Sequence, residues 1–449
     1  MSGYEKIREL AKASGVKIPD LLALARQNDP FFVGSPSQVR LGEWFADLWE
    51  RFGFIDGVHL RRVHYRLVSE HVPTGANGKP YENTEACWKE LCNAGKYARY
   101  LGLVDPAAFV DRRNPEPHIY MFAPESEPGW EYFFPEWALP EIPTRLPARL
   151  VMPELYVSGY EYEDGLQPYH VEVWCEKSTM DSELLPICER RATNLITGVG
   201  EMSISSIIRL LARMGELDKP CRLLYISDFD PAGGSMPVAV ARKIEYEIGR
   251  HRGAGADIRL NPLILTAGQV REYSLPRTPI KAGEKRKDRF EAIYGAGAVE
   301  LDALEALHPG ELSRIVEQAI QEYRDPDLKH EVSATGDEAQ QALEAYAADA
   351  LDGPGRELAE VRQEVATIAQ SYERRLEELN AELQAELAPH HERIGPLRQA
   401  IQDSMAQMDP DLPDLPPGAR ADEDDSWLFD SRRGYEDQLS HYKRHQRGG

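Results

Sequence analysis

The chain is poor in residues that would staple it together or carry it through a membrane. Its 449 residues include five cysteines (Cys87, Cys92, Cys175, Cys188 and Cys221), an odd number with no CxxC pair. That pattern argues against a disulfide framework and a thiolate zinc site, and reduced, mostly buried thiols are expected. No apolar run approaches the ~20 residues that span a bilayer, so no membrane partner is expected. The opening MSGYEKIRELAKASG has no apolar stretch of the signal-peptide kind. The expected location is cytoplasmic, and nucleoid-associated if the source is prokaryotic. There is no GxxxxGK[ST], which removes the phosphate loop of an ATPase. Basic residues are outnumbered 52 to 75, for a net charge of −23.

What is present is ordinary in bulk and uneven in detail. Apolar residues make up 42% and charged residues 28%, as in globular proteins generally. The length suits two to four domains at roughly 100–200 residues each. Residues 1–300 hold 42 acids and 37 bases, whereas residues 301–449 hold 33 acids and 15 bases. The acidity belongs mainly to the last third, so the net charge does not exclude a polyanionic partner for the rest.

Six zones follow. Residues 1–35 predict a helical arm, with helices from Tyr4 to about Ala13 and from about Pro19 to Gln27. In 36–115, Leu41, Trp44, Leu48 and Phe52 recur at helical spacing, as do Leu60, Val63 and Leu67. HVPTGANGKP reads as a loop, and Asn83 or Thr84 can cap a helix through EACWKELCNAGKYARYLGL. Lys89, Lys96 and Arg99 fall off its apolar stripe. Three helices and an extended piece suggest a winged helix-turn-helix on double-stranded DNA, or a three-helix bundle with a solvated basic face. Residues 116–165 hold eight of the 32 prolines and many aromatics, which predicts an ordered linker.

Residues 166–330 alternate short apolar runs with helical stretches, the pattern of a buried parallel sheet. Residues 331–408 are acidic and helical. Leu358, Val361, Val365, Ile368, Tyr372, Leu376, Leu379, Leu383 and Leu387 step by three or four, a coiled-coil seam that Gly395-Pro396 is expected to break. Residues 409–449 read as an acidic tail, with a short docking helix near its end.

Two runs of the α/β zone end in acids: HVEVWCE in Glu176, and LLYISD in Asp228, followed by Phe229 and Asp230. In a parallel sheet, ligands gather at the carboxyl ends of strands. Asp-x-Asp plus a third carboxylate from a neighbouring strand suits a hard divalent cation. The plainer alternative is that these acids cap helices. TGVGEMS lacks the third glycine of a dinucleotide fingerprint, and Ala232 stands where a DxDx[TV] phosphatase needs Thr or Val.

The order of Glu176, the Gly198–Gly200 turn and YISDFDPAG resembles the Toprim domain of topoisomerases, primases and several nucleases. The Asp-x-Asp-Pro-x-Gly form is similar to that of the DNA-cleaving chain of topoisomerase VI, a type IIB topoisomerase, and of the meiotic double-strand-break protein. YGAGAVELDAL, with Glu300 and Asp302, resembles a later stretch of that family. LRRVHYRLV resembles its nucleophile segment, with Tyr65 in the tyrosine position and Arg61 as the leading arginine; Arg62 replaces an acid and His64 an aromatic. The resemblance implies an α/β plus α fold: an N-terminal winged helix-turn-helix, a Toprim domain with a Rossmann-like sheet, and a C-terminal helical coiled-coil extension. It implies one or two Mg²⁺ ions on Glu176, Asp228 and Asp230, with Mn²⁺ as a substitute. It also implies a homodimer, with the seam at 358–387 adding to it, and an ATPase partner on a separate chain.

From the residues alone, Arg61 and Tyr65 are i,i+4 on one helix face, with Arg62 and Arg66 beside them. A phenol with pKa near ~10 needs such cations to attack phosphorus; a tyrosine packed at a helix edge is the alternative. Lys285, Arg286 and Lys287 lie in a basic stretch, 271–289, suited to phosphate contacts or to solvent. The expected activity is Mg²⁺-dependent DNA cleavage by tyrosine transesterification, with Tyr65, Arg61 and Glu176 catalytic. A Toprim nuclease cutting through water, and a non-catalytic DNA-binding scaffold, are the alternatives.

Overall fold

The structure is a computed structural model that describes residues 3–70, 73–110, 116–122, 124, 127–140, 148–217, 219–250, 255–372, 380–421, 423–424 and 426–447. Four helices open the chain: α1 (Gly3–Ser14), α2 (Pro36–Arg51), α3 (Leu60–Val68) and α4 (Glu85–Leu101). The antiparallel pair β1 (Gly129–Phe133) and β2 (Glu154–Ser158) follows. The middle alternates β3 (His170–Cys175), α5 (Asp181–Arg190), β4 (Asn194–Thr197), α6 (Ile204–Leu217), β5 (Cys221–Ile226), α7 (Met236–Ile248) and β6 (Ile258–Ile264). Helices α8 (Ala267–Glu272), α9 (Lys287–Tyr294), α10 (Leu301–Leu307) and α11 (Glu311–Gln321) lead to α12 (Leu328–Ala350), α13 (Asp352–Tyr372) and α14 (Asn380–Ala406). The last elements are β7 (Phe429–Asp430) and α15 (Tyr435–His445).

The chain divides into two compact units. One comprises Met1–Ala123, Gln167–Asp325 and Arg420–Gly449; the other comprises Pro124–Leu166 and Pro326–Ala419. The first unit is built on a sheet ordered β4-β3-β5-β6-β7, in which the first four strands are parallel and β7 is antiparallel to β6. Every residue of β3 and β5 is buried, as a central strand covered on both faces requires. Trp174, Leu223 and Tyr225 enter one core with Ile7, Phe31, Ile207, Tyr246 and Tyr442. Val171, Val173, Leu224 and Ile226 enter the other with Leu184, Leu195, Leu301 and Val316.

Two expectations for the outlying segments are corrected. Part of the tail expected at 409–449 belongs to the core: Phe429 and Asp430 pair with Leu260 and Arg259, and the docking helix expected near its end is α15, whose Leu439 and Tyr442 are core residues. The helix expected at Pro19–Gln27 is one short turn, Ile18–Leu21. Asp29 is the reason. Its carboxylate accepts the amides of Ala23, Leu24 and Phe31, and it pairs with Arg242 at 3.2 Å, both side chains being fully buried. Those amides leave the helical ladder to satisfy a buried charge.

In the second unit three aromatics of the expected linker pack onto the core, while Tyr132 and Phe133 are exposed. Trp130, Phe134 and Trp137 pack against Leu343, Leu358, Val361, Leu397 and Ile401. The expected seam is folded back within one chain. Leu358, Val361 and Val365 of α13 share a core with Leu383 and Leu387 of α14; Leu376 and Leu379 lie outside the described residues. Tyr372 donates to Glu386 at 2.6 Å and Arg393 pairs with Glu364 at 3.1 Å, which is an antiparallel register. Among the described residues, the apolar seam is therefore covered within this chain. The break expected at Gly395-Pro396 is absent, and α14 runs through both Pro389 and Pro396. Burial of Leu397, Ile401 and Met405 beyond the proline offsets the lost backbone hydrogen bond.

A buried ion cluster on β3 makes stability pH-dependent. Glu172 accepts two hydrogen bonds from Arg213, at 2.8 and 2.9 Å, and is bonded to His170 and Trp174 at 2.8 Å each. Burial works to raise its pKa, but Arg213 and His170 outweigh it and hold the carboxyl well below its ordinary value. The stability this contributes is present above the unfolded carboxyl pKa of about 4.3 and is lost as pH falls through the depressed folded value. Glu172→Gln removes the buried charge that holds the half-buried guanidinium of Arg213 and should cost about 3 kcal/mol at neutral pH. Urea denaturation at several pH values checks this: the difference from wild type should shrink toward acid.

Candidate carboxylate site and cationic cleft

The sheet delivers three carboxylates to its carboxyl end. Glu176 follows β3 directly, and Asp228 and Asp230 follow β5. Glu176 Oε1 accepts the Asp228 amide at 2.7 Å. Asp228 Oδ1 accepts the Leu301 amide at 2.8 Å, and Asp230 Oδ1 accepts the Gly233 amide at 2.6 Å. The loop needs glycine at 233, because a Cβ there would lie 2.0 Å from the Asp228 carbonyl oxygen. Beside them the turn 198–200 holds the backbone after β3: Gly198 donates to the Cys175 carbonyl, Gly200 to that of Glu176, and Gly200 sits at φ +89°.

Electrostatics mark the cluster. Glu176 is 6% exposed and its Oε2 has no hydrogen-bond partner. Burial pushes its carboxyl up to about 7, opposed by the Asp228 amide and reinforced by the Asp228 and Asp230 carboxylates. Burial likewise raises Asp228, against the Leu301 amide and Lys177. The ammonium of Lys177 reaches Asp228 at 3.2 Å, Glu300 at 3.2 Å and Asp302 at 2.7 Å. Burial disfavours its charge, yet these three carboxylates hold its pKa above the ordinary lysine value.

Among the described residues, no three His, Cys, Asp or Glu side chains stand close enough to hold one ion. In kind, the donors fit a hard cation: they are all carboxylate oxygens, and one is buried without a partner.

The tyrosine lies in a different cleft. Helix α3 buries Val63, His64 and Leu67 and leaves Tyr65 60% exposed. His64 has a structural explanation, since its ring nitrogens bond the Tyr81 hydroxyl at 2.8 Å and Asn83 at 3.1 Å. Tyr65 lines a cleft of about 960 Å³ with Arg61, Arg62, Lys96, Arg99, Lys243 and Glu201. A second cleft, about 810 Å³, is lined by Asp228, Asp230, Arg286, Arg289 and Arg444; Asn28 and Glu201 line both. Glu176 lines neither.

The other basic candidates scatter. Arg66 and Lys89 lie outside the tyrosine cleft; Arg66 stacks on Phe52 at 5.4 Å and Lys89 pairs with Glu85 at 2.7 Å. Arg62 stacks on Phe54 and Arg99 on Phe109, while burial lowers the pKa of Lys96, which donates to the Gln27 carbonyl at 2.9 Å. Arg286 pairs with Glu284 at 2.8 Å, and Lys285 and Lys287 line neither cleft. Lys177, Asn28, Glu201, Lys243 and Arg444 are not among the site residues expected from sequence. Lys177 had a signal, adjacency to Glu176. Lys243, which pairs with Glu201 at 2.6 Å, had none. No family model matches the chain, and no curated protein does.

Proposed function

We propose that the protein cleaves DNA in a Mg²⁺-dependent reaction similar to that of the DNA-cleaving chain of topoisomerase VI. Glu176, Asp228 and Asp230 would hold the metal on a Toprim domain, and a winged helix-turn-helix would present Tyr65. The observation that carries this reading is the cluster of three strand-end carboxylates with a buried oxygen left unmatched. The exposed tyrosine in a cleft rich in arginine and lysine supports it. In the proposed step the Tyr65 oxygen bonds to phosphorus, its proton passes to solvent, and a deoxyribose oxygen departs. Arg61, in the same cleft, grips the phosphate. When bound, Mg²⁺ stabilises the charge that builds on the phosphate. Tyr65 lines one cleft and Asp228 and Asp230 line another, which suits a homodimer in which each tyrosine works against the acids of the other copy. An ATPase would be supplied by a separate chain.

The same separation favours a second reading, a Toprim nuclease that cuts through water and uses Tyr65 only to bind. Incubation of supercoiled plasmid with protein and Mg²⁺ tests both. Cleavage should fall at least about 100-fold in Asp228→Ala, since even outer-sphere partners of metal ligands are worth about 10–100-fold. Unchanged cleavage in that variant would overturn both readings.

A further inference from the structure

We infer that the outer edge of β1 is a docking edge for an extended, lysine- or arginine-rich segment of a partner protein, which joins the β1–β2 ribbon as a third strand. This edge belongs to the second unit, and its partner is independent of the DNA-cleavage reading. A strand edge is a row of unpaired amides and carbonyls, and folded proteins normally cover, plug or charge it. A ribbon of only two strands is also marginal by itself, so a third strand adds to it. The two edges of this ribbon are treated differently.

The β2 edge is plugged. Gln340 of α12 accepts the Val157 amide at 3.1 Å and donates to the Leu155 carbonyl at 3.0 Å, so one side-chain amide stands in for a neighbouring strand. Backbone groups alternate in direction along an antiparallel strand. Since Leu155 and Val157 face Gln340, it is Glu154, Tyr156 and Ser158 that bond to β1, through their partners Phe133, Glu131 and Gly129. Trp130 and Tyr132 therefore turn their amides and carbonyls away from β2. Among the described residues, nothing bonds to these groups.

The faces of the ribbon define the strand that fits. Trp130, Leu155 and Val157 pack on the core of the unit. The other face carries Glu131, Phe133, Glu154 and Tyr156, all exposed, with Phe133 at 69% and Tyr156 at 50%. A strand laid along β1 sets its own side chains on that face beside Glu131 and Phe133, at an interstrand spacing of about 4.7–4.9 Å. A cation there meets a carboxylate, and the aliphatic stem of lysine or arginine covers the phenyl ring. The surrounding charge has one sign. Segments 124–166 and 326–419 hold 29 of the 75 acids and 9 of the 52 bases, so this unit carries −20 of the net −23. Such a field steers a basic segment toward the edge. The same charge disfavours a second copy of the chain as occupant. Pairing two β1 edges brings two strands bearing Glu131, and two units of −20, against each other, and like charges across a ladder destabilise it.

Two synthetic peptides of alternating residues, one of lysine and valine and one of glutamate and valine, test this on the full chain. Fluorescence anisotropy should show the lysine peptide binding and the glutamate peptide failing to bind. Amide hydrogen exchange, read by mass spectrometry, should slow at residues 130–132 when the lysine peptide is present. Tyr132→Pro removes one open amide at an edge position where proline is tolerated, and should weaken the lysine peptide at least about tenfold. Glu131→Lys leaves every backbone group in place and should also weaken it. Equal binding of the two peptides, unchanged affinity in either folded variant, or no binding of the lysine peptide would overturn the inference. Slow exchange at 130–132 in the chain alone that is lost on dilution would assign the edge to a second copy and overturn it as well. Should Tyr132→Pro fail to fold, Glu131→Lys and the exchange of wild type decide.

Discussion

Tyr65→Phe should leave DNA binding within about threefold of wild type and abolish covalent protein–DNA adducts. The asymmetry follows from where the residue sits. Its ring is 60% exposed, and the core of its helix is made by Val63, His64 and Leu67. Loss of an exposed hydroxyl changes stability by no more than about 0.5 kcal/mol, so a lost activity would be chemical. In the proposed reading, affinity would rest on Arg61, Arg62 and the other cations of the cleft, none of which the substitution alters. Denaturing gels of protein incubated with labelled DNA and Mg²⁺ give the answer. Adducts in wild type and none in Tyr65→Phe identify the nucleophile. Free cleaved ends in both proteins identify the hydrolytic reaction and reduce Tyr65 to a binding residue. Adducts persisting in the variant would remove Tyr65 from the chemistry.

Arg222→Met should destabilise the first unit by about 3–5 kcal/mol, the cost of breaking a buried ion pair from one side. Arg222 is 1% exposed on β5, where it pairs with Glu423 and, at 3.2 Å, with Asp257. It lies over the rings of Tyr169 and Trp427 at 4.9 and 5.7 Å. Arg259 on β6 adds pairs to Glu423 and Asp430, both at 3.0 Å. These contacts fasten residues 423–430 across the sheet, so methionine would leave the Glu423 carboxylate with Arg259 as its remaining partner and loosen the last segment first. Limited proteolysis should cut the variant near residues 420–430 before any other site, and urea melts should shift accordingly. A melt unchanged within about 0.5 kcal/mol would show that the cluster is not coupled to folding.

The parts of the fold legible in the sequence are those whose partners lie nearby. The runs at 170–175 and 221–226 announced β3 and β5, because a strand buried on both faces is mostly apolar, and Ile258, Leu260, Leu263 and Ile264 announced β6, whose residues 261–263 are only partly buried. Thr84 announced α4 by capping it, accepting the Cys87 amide. Opaque were the features made by distant pairs. Two-residue β7 exists only because β6 lies beside it, far back in the sequence. Lys177 owes its role to Glu300 and Asp302, more than a hundred residues downstream. Asp29 overrode helix propensity at 19–27 for the sake of Arg242 on α7. The carboxylates themselves were readable because strand ends converge by topology; which of their oxygens were already occupied was not.

The antiparallel edge strand has a consequence for how the molecule is made. Ribosomes release a chain from its beginning, and a domain usually folds once its own last residues have emerged. Here the outer edge of β6 stays unpaired, and Arg222 stays without Glu423, until residues 423–430 have been synthesised, long after β6 itself at 258–264. The whole second-unit segment 326–419 is made in that interval. A nascent chain stalled before residue 423 carries an open sheet edge and leaves Arg222 with Asp257 but without Glu423. Completion of the unit that bears the carboxylates therefore waits on the synthesis of its neighbour, and the waiting sheet is the point at which a chaperone would find most to hold.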